Sequence, residues 1–294
     1  MRPQVVIIAT ILLDAGLFLA NLEVAVVTGS HTVLSQAYYT VADLVGGVFL
    51  LWGFVVSKRP PDDRHPFGRG KERFFWAFTA SIVTFTIAGL QTISSGIQQI
   101  VAPQPLDHLP IALAVVGLTL GVSLIGIEVT LRELRRDERS IASLLESAHQ
   151  GLKTIFYQDL VSVFGSVLAF GGIGVVYVTN NVRLDGWTAA AVGVVLVAMG
   201  FVLAAESRSY LVGRAIPPEL ARDVLHLVER DARVRRVREV QSMLLGPDDV
   251  LLALRVNFQD GLTTDQIETT IDDLSKRMRE HYPVLRHIVL EPEA

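Results

Sequence analysis

Six long apolar segments occupy the first 205 residues of the chain. They cover about residues 4–29, 31–57, 74–102, 109–131, 152–178 and 185–205. Each is near or above the ~20 residues that a helix needs to cross a bilayer. Only 19% of the residues are charged and the mean hydropathy is +0.43, which is too hydrophobic for a soluble protein of this length. The sequence therefore predicts a membrane all-α bundle of six transmembrane helices.

Positive charges concentrate in alternate connections between these segments. The second connection carries Lys58, Arg59, Arg64, Arg69, Lys71 and Arg73, and the fourth carries Arg132, Arg135, Arg136 and Arg139. The first and third connections carry none, and the fifth has only Arg183. Lys and Arg near helix ends are retained on the cytoplasmic side. We therefore expect a multi-pass protein of the plasma membrane, or of a bacterial inner membrane, with both termini cytoplasmic.

After about Ser207 the pattern becomes that of a soluble domain. A helix is predicted over 219–231, strands over 237–245, 250–258 and 284–290, and a second helix from Thr263 to about His281. Thr263 and Gln266 form a capping box, and a Gly-Pro-Asp-Asp turn joins the first two strands. The order αββαβ predicts a cytoplasmic α+β, ferredoxin-like domain with helices on one face of a small antiparallel-type sheet. The predicted domains are 1–207 and 208–294.

Several functional classes are excluded or disfavoured by composition and motifs. The chain has no cysteine, which excludes disulfides and thiolate metal sites. Its net charge of −4 gives no basic surplus for nucleic acid. No nucleophile and base set, phosphate loop or cofactor motif occurs, so we expect neither an enzyme nor a bound cofactor. A channel is a weaker alternative, because no filter-like loop interrupts the spans.

Two acidic residues, Asp43 and Asp159, lie deep inside apolar segments. A charged side chain at a helix centre costs roughly 2.5 to 3.5 kcal/mol, so an acid there suggests a functional site. Each acid belongs to a polar stripe on one helix face, and the stripes consist of Gln36, Tyr39 and Asp43, and of Asp159, Ser162 and Ser166. Neighbouring glycines allow close packing of the helices. The two stripes predict the walls of one cation site.

A packing role for these acids remains the alternative, in which each aspartate only hydrogen-bonds a neighbouring helix. Glu23 and Glu128 lie toward helix ends, where the headgroup region tolerates charge. Asp14 lies deeper, and a role for it in proton or ion movement stays open.

The connection from Asp62 to Glu72, with the sequence DDRHPFGRGKE, resembles the HPFGxGxxE loop between helices 2 and 3 of the cation diffusion facilitator family. Gly29-Ser30 and the stretch 249–292 are also similar to that family. The resemblance implies six transmembrane helices, cytoplasmic termini, an αββαβ C-terminal domain and a two-fold symmetric homodimer.

The resemblance also implies a ligand set for a transported divalent cation, most often zinc. The family uses an [H/D]xxxD pair on helix 2 and another on helix 5. Asp43 and Asp159 match the second residue of each pair, whereas Tyr39 and Ile155 occupy the first positions. Some relatives carry an acid just before the helix 5 aspartate, where this chain has Gln158. The expected metal ligands are Asp43, Asp159, Tyr39 and Gln158, with Ser162 as a further candidate.

These ligands predict a weak zinc site. Zinc favours nitrogen and sulfur donors, whereas all-oxygen sites suit harder ions such as Mn²⁺ or Mg²⁺. Apart from His31, at the first position of the second segment, no histidine lies within the spans to contribute nitrogen. We expect the two aspartates to share a proton when the site is empty.

Two functions remain open. The first is a secondary transporter that exports a divalent cation, zinc-class or harder such as manganese or iron, by proton antiport. The second is a non-transporting homologue that acts as a scaffold or regulatory partner. Retention of Asp43 and Asp159 favours the first, and Tyr39 and Ile155 favour the second.

Two further groups of polar residues are candidates for secondary metal sites. Asp62, Asp63 and His65 are candidates in the loop, but Arg69 stands at a further histidine position, which favours a solvated loop near lipid headgroups. In the cytoplasmic domain, His226 and His281 lie on the two helices and His287 on the last strand, too scattered to predict a cluster.

Overall fold

The computed structural model describes residues 3–136 and 150–293, without the side chains of residues 3–10, 84–85, 133–136 and 150–158. Its first part contains the helices α1 (Pro3–Thr28), α2 (His31–Ser57), α3 (Glu72–Ala80), α4 (Ile87–Val101), α5 (Leu109–Arg136), α6 (Gln150–Thr179) and α7 (Arg183–Val212). A π-helical segment, Ser81–Thr86, joins α3 and α4 into one span. Arg139, one of the predicted cytoplasmic charges, lies outside the described residues.

Six helical spans in the described part of the chain are long and apolar enough to cross a membrane, which confirms the predicted number. Their bounds follow the apolar segments closely at five of the six positions. The last helix continues to Val212, beyond the predicted end at residue 205. The extension has a packing reason, because Tyr210 is completely buried in the core of the C-terminal domain.

The described residues form two compact units. The first contains residues 3–55, 75–136 and 151–208, and the second contains residues 56–74 and 209–293. The C-terminal part of the second unit consists of α8 (Pro218–Glu229), β1 (Val234–Gly246), β2 (Asp249–Phe258), α9 (Thr264–His281) and β3 (His287–Pro292). This order confirms the predicted αββαβ arrangement. The capping box at Thr263 and Gln266 is also present.

The sheet has the strand order β1-β2-β3, with β1 and β2 antiparallel and β2 and β3 parallel. The expectation of an antiparallel-type sheet is therefore wrong for β3. Between β2 and β3 the chain passes through α9, and such a helical crossover returns the chain in the same direction. The last strand also begins later than predicted, because residues 282–285 form a turn in which Leu285 N donates to Tyr282 O at 2.9 Å.

The core of the second unit lies between the sheet and its helices. Alternate residues of β2 are buried, as expected for a strand that covers a core with one face. The helices contribute pairs with four-residue spacing, Val224 and Val228 on α8 and Leu274 and Met278 on α9. Both helices thus cover the same face of the sheet.

The connection between α2 and α3 packs on this domain within the second unit. A Cβ on Gly70 would lie 2.5 Å from the carbonyl oxygen of Leu245, so the two backbones are in direct contact. Phe67 meets the His287 ring edge-on, with 5.2 Å between ring centroids. Phe74 joins the core beside Tyr210. The prediction of a solvated loop holds for the exposed residues 58–67, whereas residues 68–74 are at least half-buried.

Asp231 anchors two arginines beside this core. Its side chain is only 8% exposed and accepts hydrogen bonds from Arg233 and Arg277. The hydrogen bonds from Arg233, with those of Arg277, hold the pKa of Asp231 well below its usual range. A carboxyl group with a lowered folded-state pKa stabilises the fold above its ordinary pKa of about 3.9, and this stabilisation is lost as the pH falls further.

We expect Asp231→Asn to lower the free energy of unfolding by about 2 kcal/mol at pH 7. The difference from the native protein should shrink as the pH falls below about 4. Thermal unfolding of the full-length protein in detergent measures both effects. Asp260→Asn is the matched control, since Asp260 is 93% exposed and pairs with Arg235 at 3.4 Å. Equal melting of the two variants at pH 7 would contradict this assignment.

Candidate metal site

The two polar stripes predicted on helices 2 and 5 face each other, on α2 and α6. Ser166 Oγ donates to Gln36 Oε1 at 3.4 Å. One turn further along α2, the Tyr39 hydroxyl hydrogen-bonds with Ser162 of α6 and with Asp43. Gln36 and Tyr39 are almost completely buried. The structure thus brings together most of the side chains that the sequence placed in one site.

Asp43 has a buried carboxylate oxygen that lacks a partner among the described residues. Its Oδ1 atom is inaccessible to solvent and makes no hydrogen bond with any described residue. The charged groups that act on Asp43 are Asp14 and Asp159, which are both acidic. An unsatisfied buried oxygen costs free energy, and acidic neighbours increase that cost. A proton or a cation bound between these groups would relieve it.

Asp159 is positioned by two residues of α5. Thr130 Oγ1 donates a hydrogen bond to Asp159 Oδ2. A Cβ on Gly126, one turn earlier on α5, would lie 3.3 Å from Asp159 Oδ1. The glycine leaves room for the carboxylate, and the threonine fixes its orientation. Sequence reasoning missed both residues, because a single Gly or Thr in an apolar span is common and has no distinguishing pattern.

Hydroxyl groups continue the polar surface between α5 and α6. Ser123 Oγ lies 2.6 Å from Ser162 Oγ and 3.5 Å from Ser166 Oγ. Further along α5, Thr119 pairs with the buried Asn21 of α1 at 3.3 Å. Carboxylate, hydroxyl and amide oxygens therefore line this part of the interior. Such donors suit hard cations better than zinc.

Some predicted ligands cannot be placed. The side chains of Gln158 and Ile155 lie outside the described residues, so the role of Gln158 stays a prediction. Among the side chains that are described, no three His, Cys, Asp or Glu residues are close enough to hold one metal ion. In this conformation the candidate site is therefore Asp43 with Tyr39, and Asp159 beside them.

A second interior acid, Asp185, fixes the start of α2. It is fully buried and accepts hydrogen bonds from Ser30 Oγ at 2.6 Å, His31 N at 2.7 Å and Thr32 N at 3.2 Å. The first amides of a helix have no partner within that helix, so Asp185 caps α2 from another helix. The sequence analysis missed this residue. An acid in the first turn of α7 was the available signal.

In the candidate site of the α2–α3 connection, the charge of Asp62 is already neutralised by residues of the same connection. Asp62 accepts hydrogen bonds from Arg69 Nη2 at 2.7 Å and from His65 Nδ1 at 2.9 Å. These bonds hold the pKa of Asp62 well below its usual range. The Arg69 guanidinium thus provides the positive charge at Asp62 in this turn.

The histidines of the C-terminal domain lie on separate elements. His226 is on α8 and His281 is on α9, where its Nδ1 lies 2.9 Å from Arg277 O. His287, on β3, is 3.5 Å from the Asp249 carboxylate. Burial raises the pKa of Asp249, whereas His287 and Arg286 oppose this effect.

The chain was compared with known proteins. The model of the cation efflux transmembrane domain matches residues 7–212. Relatives include the mitochondrial proton-coupled zinc antiporter SLC30A9 of Xenopus laevis, which is 23% identical over 98% of this chain and 59% of its own length. Metal tolerance protein C4 of Arabidopsis thaliana is 25% identical over 86% of this chain and 57% of its own length. The cation-efflux pump FieF of Klebsiella pneumoniae is 23% identical, covering 87% and 81%.

The chain spans a little over half the length of the first two of these relatives. The family model covers most of the chain, including every helix that is long and apolar enough to cross a membrane in the described residues. This match confirms the resemblance based on the loop motif. The protein therefore belongs to the cation efflux, or cation diffusion facilitator, family and is a multi-pass integral membrane protein.

Proposed function

We propose that the protein exports a divalent metal cation from the cytoplasm in exchange for protons, with Asp43 and Asp159 as the principal acidic groups of the transport site. Membership of the cation efflux family and the names of the relatives support metal transport. The buried Asp43 Oδ1, which has no partner among the described residues, is the observation that carries the proposal. An interior carboxylate beside two other acids needs a bound proton or cation to offset its charge.

The donor chemistry supports a cation harder than zinc, such as Mn²⁺ or Fe²⁺. The described donors near Asp43 are a phenol, serine hydroxyls and carboxylates. A site without nitrogen or sulfur ligands loses much of its advantage for zinc. Zinc still binds most oxygen sites more tightly than Mn²⁺ or Fe²⁺ does, so we propose a transporter that accepts all three ions.

Proton exchange follows from the charge of the site. Two carboxylates are neutralised when a dication binds, and ionised acids without a counter-ion are unstable in a membrane interior. The empty site therefore binds protons, including one that Asp43 and Asp159 share. Loading the metal releases protons, and release of the metal takes them up again.

The proposed setting is a plasma or bacterial inner membrane with both termini in the cytoplasm. The positive charges of the α2–α3 connection support this orientation. By analogy with the family, the protein is proposed to act as a homodimer without enzymatic activity or a bound cofactor. Exported cations then move from the side of the C-terminal domain to the opposite side.

A non-transporting partner protein is the alternative function. Tyr39 favours it, because a buried neutral phenol stands where a histidine or aspartate ligand is expected from the family. Such a protein keeps the fold and binds no cation at Asp43.

Uptake into proteoliposomes tests the proposal. The full-length protein is reconstituted, and entry of Zn²⁺, Mn²⁺, Fe²⁺ and Mg²⁺ is followed with and without an opposing proton gradient. We expect saturable uptake of at least one transition-metal ion, faster with the gradient and slower after an ionophore dissipates it. Protein-free liposomes are the control. Uptake no greater than in this control, for all four ions, contradicts transport and supports the alternative.

A further inference from the structure

We propose that Asp14 of α1 is a third anionic group of the transport site and increases its affinity for dications. This inference rests on the proposed function. It assigns to α1, and not only to α2 and α6, a part in binding the cation. The family match covers this helix but assigns no role to its acid.

The packing of α1 on α2 brings Asp14 to the level of Asp43. The Ile11 side chain of α1 lies 3.0 Å from the position that a Cβ on Gly47 of α2 would occupy. The two helices are consecutive spans separated only by Gly29-Ser30, so we infer that they run in opposite directions. Asp14 follows Ile11 by three residues, and Asp43 precedes Gly47 by four. Residues with these spacings share a helix face, so the two acids lie at the same contact between the helices.

The electrostatics agree with this placement. Asp14 lies close enough to act electrostatically on Asp43 and Tyr39, and Asp159 acts in the same way on Asp14 and Asp43. Among the side chains that the structure describes, the groups that act on these acids include no positively charged one. The buried Asp43 Oδ1, which has no partner among the described residues, therefore lies in the negative potential of these acids.

Asp185, Glu128 and Glu23 differ from Asp14 in their surroundings. Asp185 is saturated by three hydrogen bonds at a helix end. Glu128 forms an ion pair with Arg132 at 2.8 Å, and Glu23 is exposed on the surface of α1. Asp14 is half-buried and makes no hydrogen bond or ion pair with a described residue. Packing therefore gives no reason for its charge.

Asp14 acts through its charge at a distance and not as a ligand in this conformation. The described residues contain no three acidic or histidine side chains close enough to bind one ion together. A third negative charge nonetheless attracts a dication to Asp43 across the low-dielectric interior. Removal of that charge should weaken binding by about tenfold or more, which corresponds to about 1.4 kcal/mol.

Three variants of the full-length protein test the inference. Asp14→Asn removes the charge, Asp14→Glu keeps it, and Glu23→Gln removes a charge of the same helix at an exposed position. Equilibrium binding of Mn²⁺ in detergent and the concentration dependence of Mn²⁺ uptake are measured for each. We expect Asp14→Asn to raise the dissociation constant and KM by about tenfold or more, with a smaller change in kcat. Glu23→Gln and Asp14→Glu should stay within about threefold of the native protein.

The outcomes separate this inference from the proposed function. If the native protein transports Mn²⁺ and Asp14→Asn binds it equally well, the inference is overturned and the transport function stands. The inference also fails if Asp14→Glu loses as much affinity as Asp14→Asn, because geometry and not charge then decides. A native protein that binds no Mn²⁺ overturns both.

Discussion

Metal uptake into proteoliposomes is expected to fall by about 100-fold or more when Asp43 is replaced by alanine. The substitution removes the buried oxygen that has no partner among the described residues, together with the carboxylate that bonds Tyr39. No hydroxyl or phenol nearby can supply the lost charge. Asp43→Asn keeps the shape and should lose nearly as much, because charge neutralisation of the cation decides the effect.

Two controls make this result specific. Glu128→Gln also removes an acid from a span, but the Glu128 side chain is about half-exposed and ion-paired with Arg132, so uptake should change by less than about twofold. The melting temperature of Asp43→Ala should equal or exceed that of the native protein, because the substitution removes a buried charge. Full uptake by a folded Asp43→Ala protein would remove Asp43 from the transport site.

Gly96→Ala should reduce the amount of folded protein severely. A Cβ on Gly96 of α4 would lie 2.6 Å from both Gly186 O and Ala190 N of α7. The same close approach recurs one heptad along, where Gly89 of α4 faces Gly193. Backbone atoms cannot relieve this clash by a rotamer change, as a side chain can. The two helices must therefore separate. We expect a loss of about 3 kcal/mol, which is large against total stabilities of 5 to 15 kcal/mol.

Gly174→Ala is the matched control for this prediction. Gly174 lies within α6, five residues before its last residue Thr179, and no atom lies within 4 Å of the position that its Cβ would take. Alanine there should leave stability unchanged or increase it by up to about 1 kcal/mol, since alanine favours helices. The fraction of monodisperse protein on gel filtration and its melting temperature measure both variants. Equal behaviour of the two would show that the α4–α7 contact tolerates a side chain.

The fold could be predicted largely from local signals. Apolar length defined the spans, and the capping box at Thr263 defined the start of α9. The direction of β3 was not accessible, because strand pairing depends on where α9 packs. The docking of Gly70 on Leu245 was also hidden, since a glycine required for close approach resembles a glycine required for a turn.

The candidate site was predicted only in part. The stripes on α2 and α6 were visible because their polar residues repeat at helical spacing in otherwise apolar segments. Asp14 was visible as a candidate, but its position relative to Asp43 was not, because the few polar residues of α1 do not indicate which face meets α2. Thr130 depends on a contact between helices distant in sequence, for which a single sequence contains no signal.

The chain passes between its two compact units more than once, including near residues 55, 75 and 208. The C-terminal domain therefore depends on residues from an earlier part of the chain. A shortened polypeptide ending at residue 208 would leave the Phe74 ring and the Gly70 backbone without the surfaces that cover them. An isolated C-terminal fragment would in turn lack Phe74, and the apolar surface around Tyr210 would be exposed. Neither piece alone would reproduce the behaviour of the intact protein.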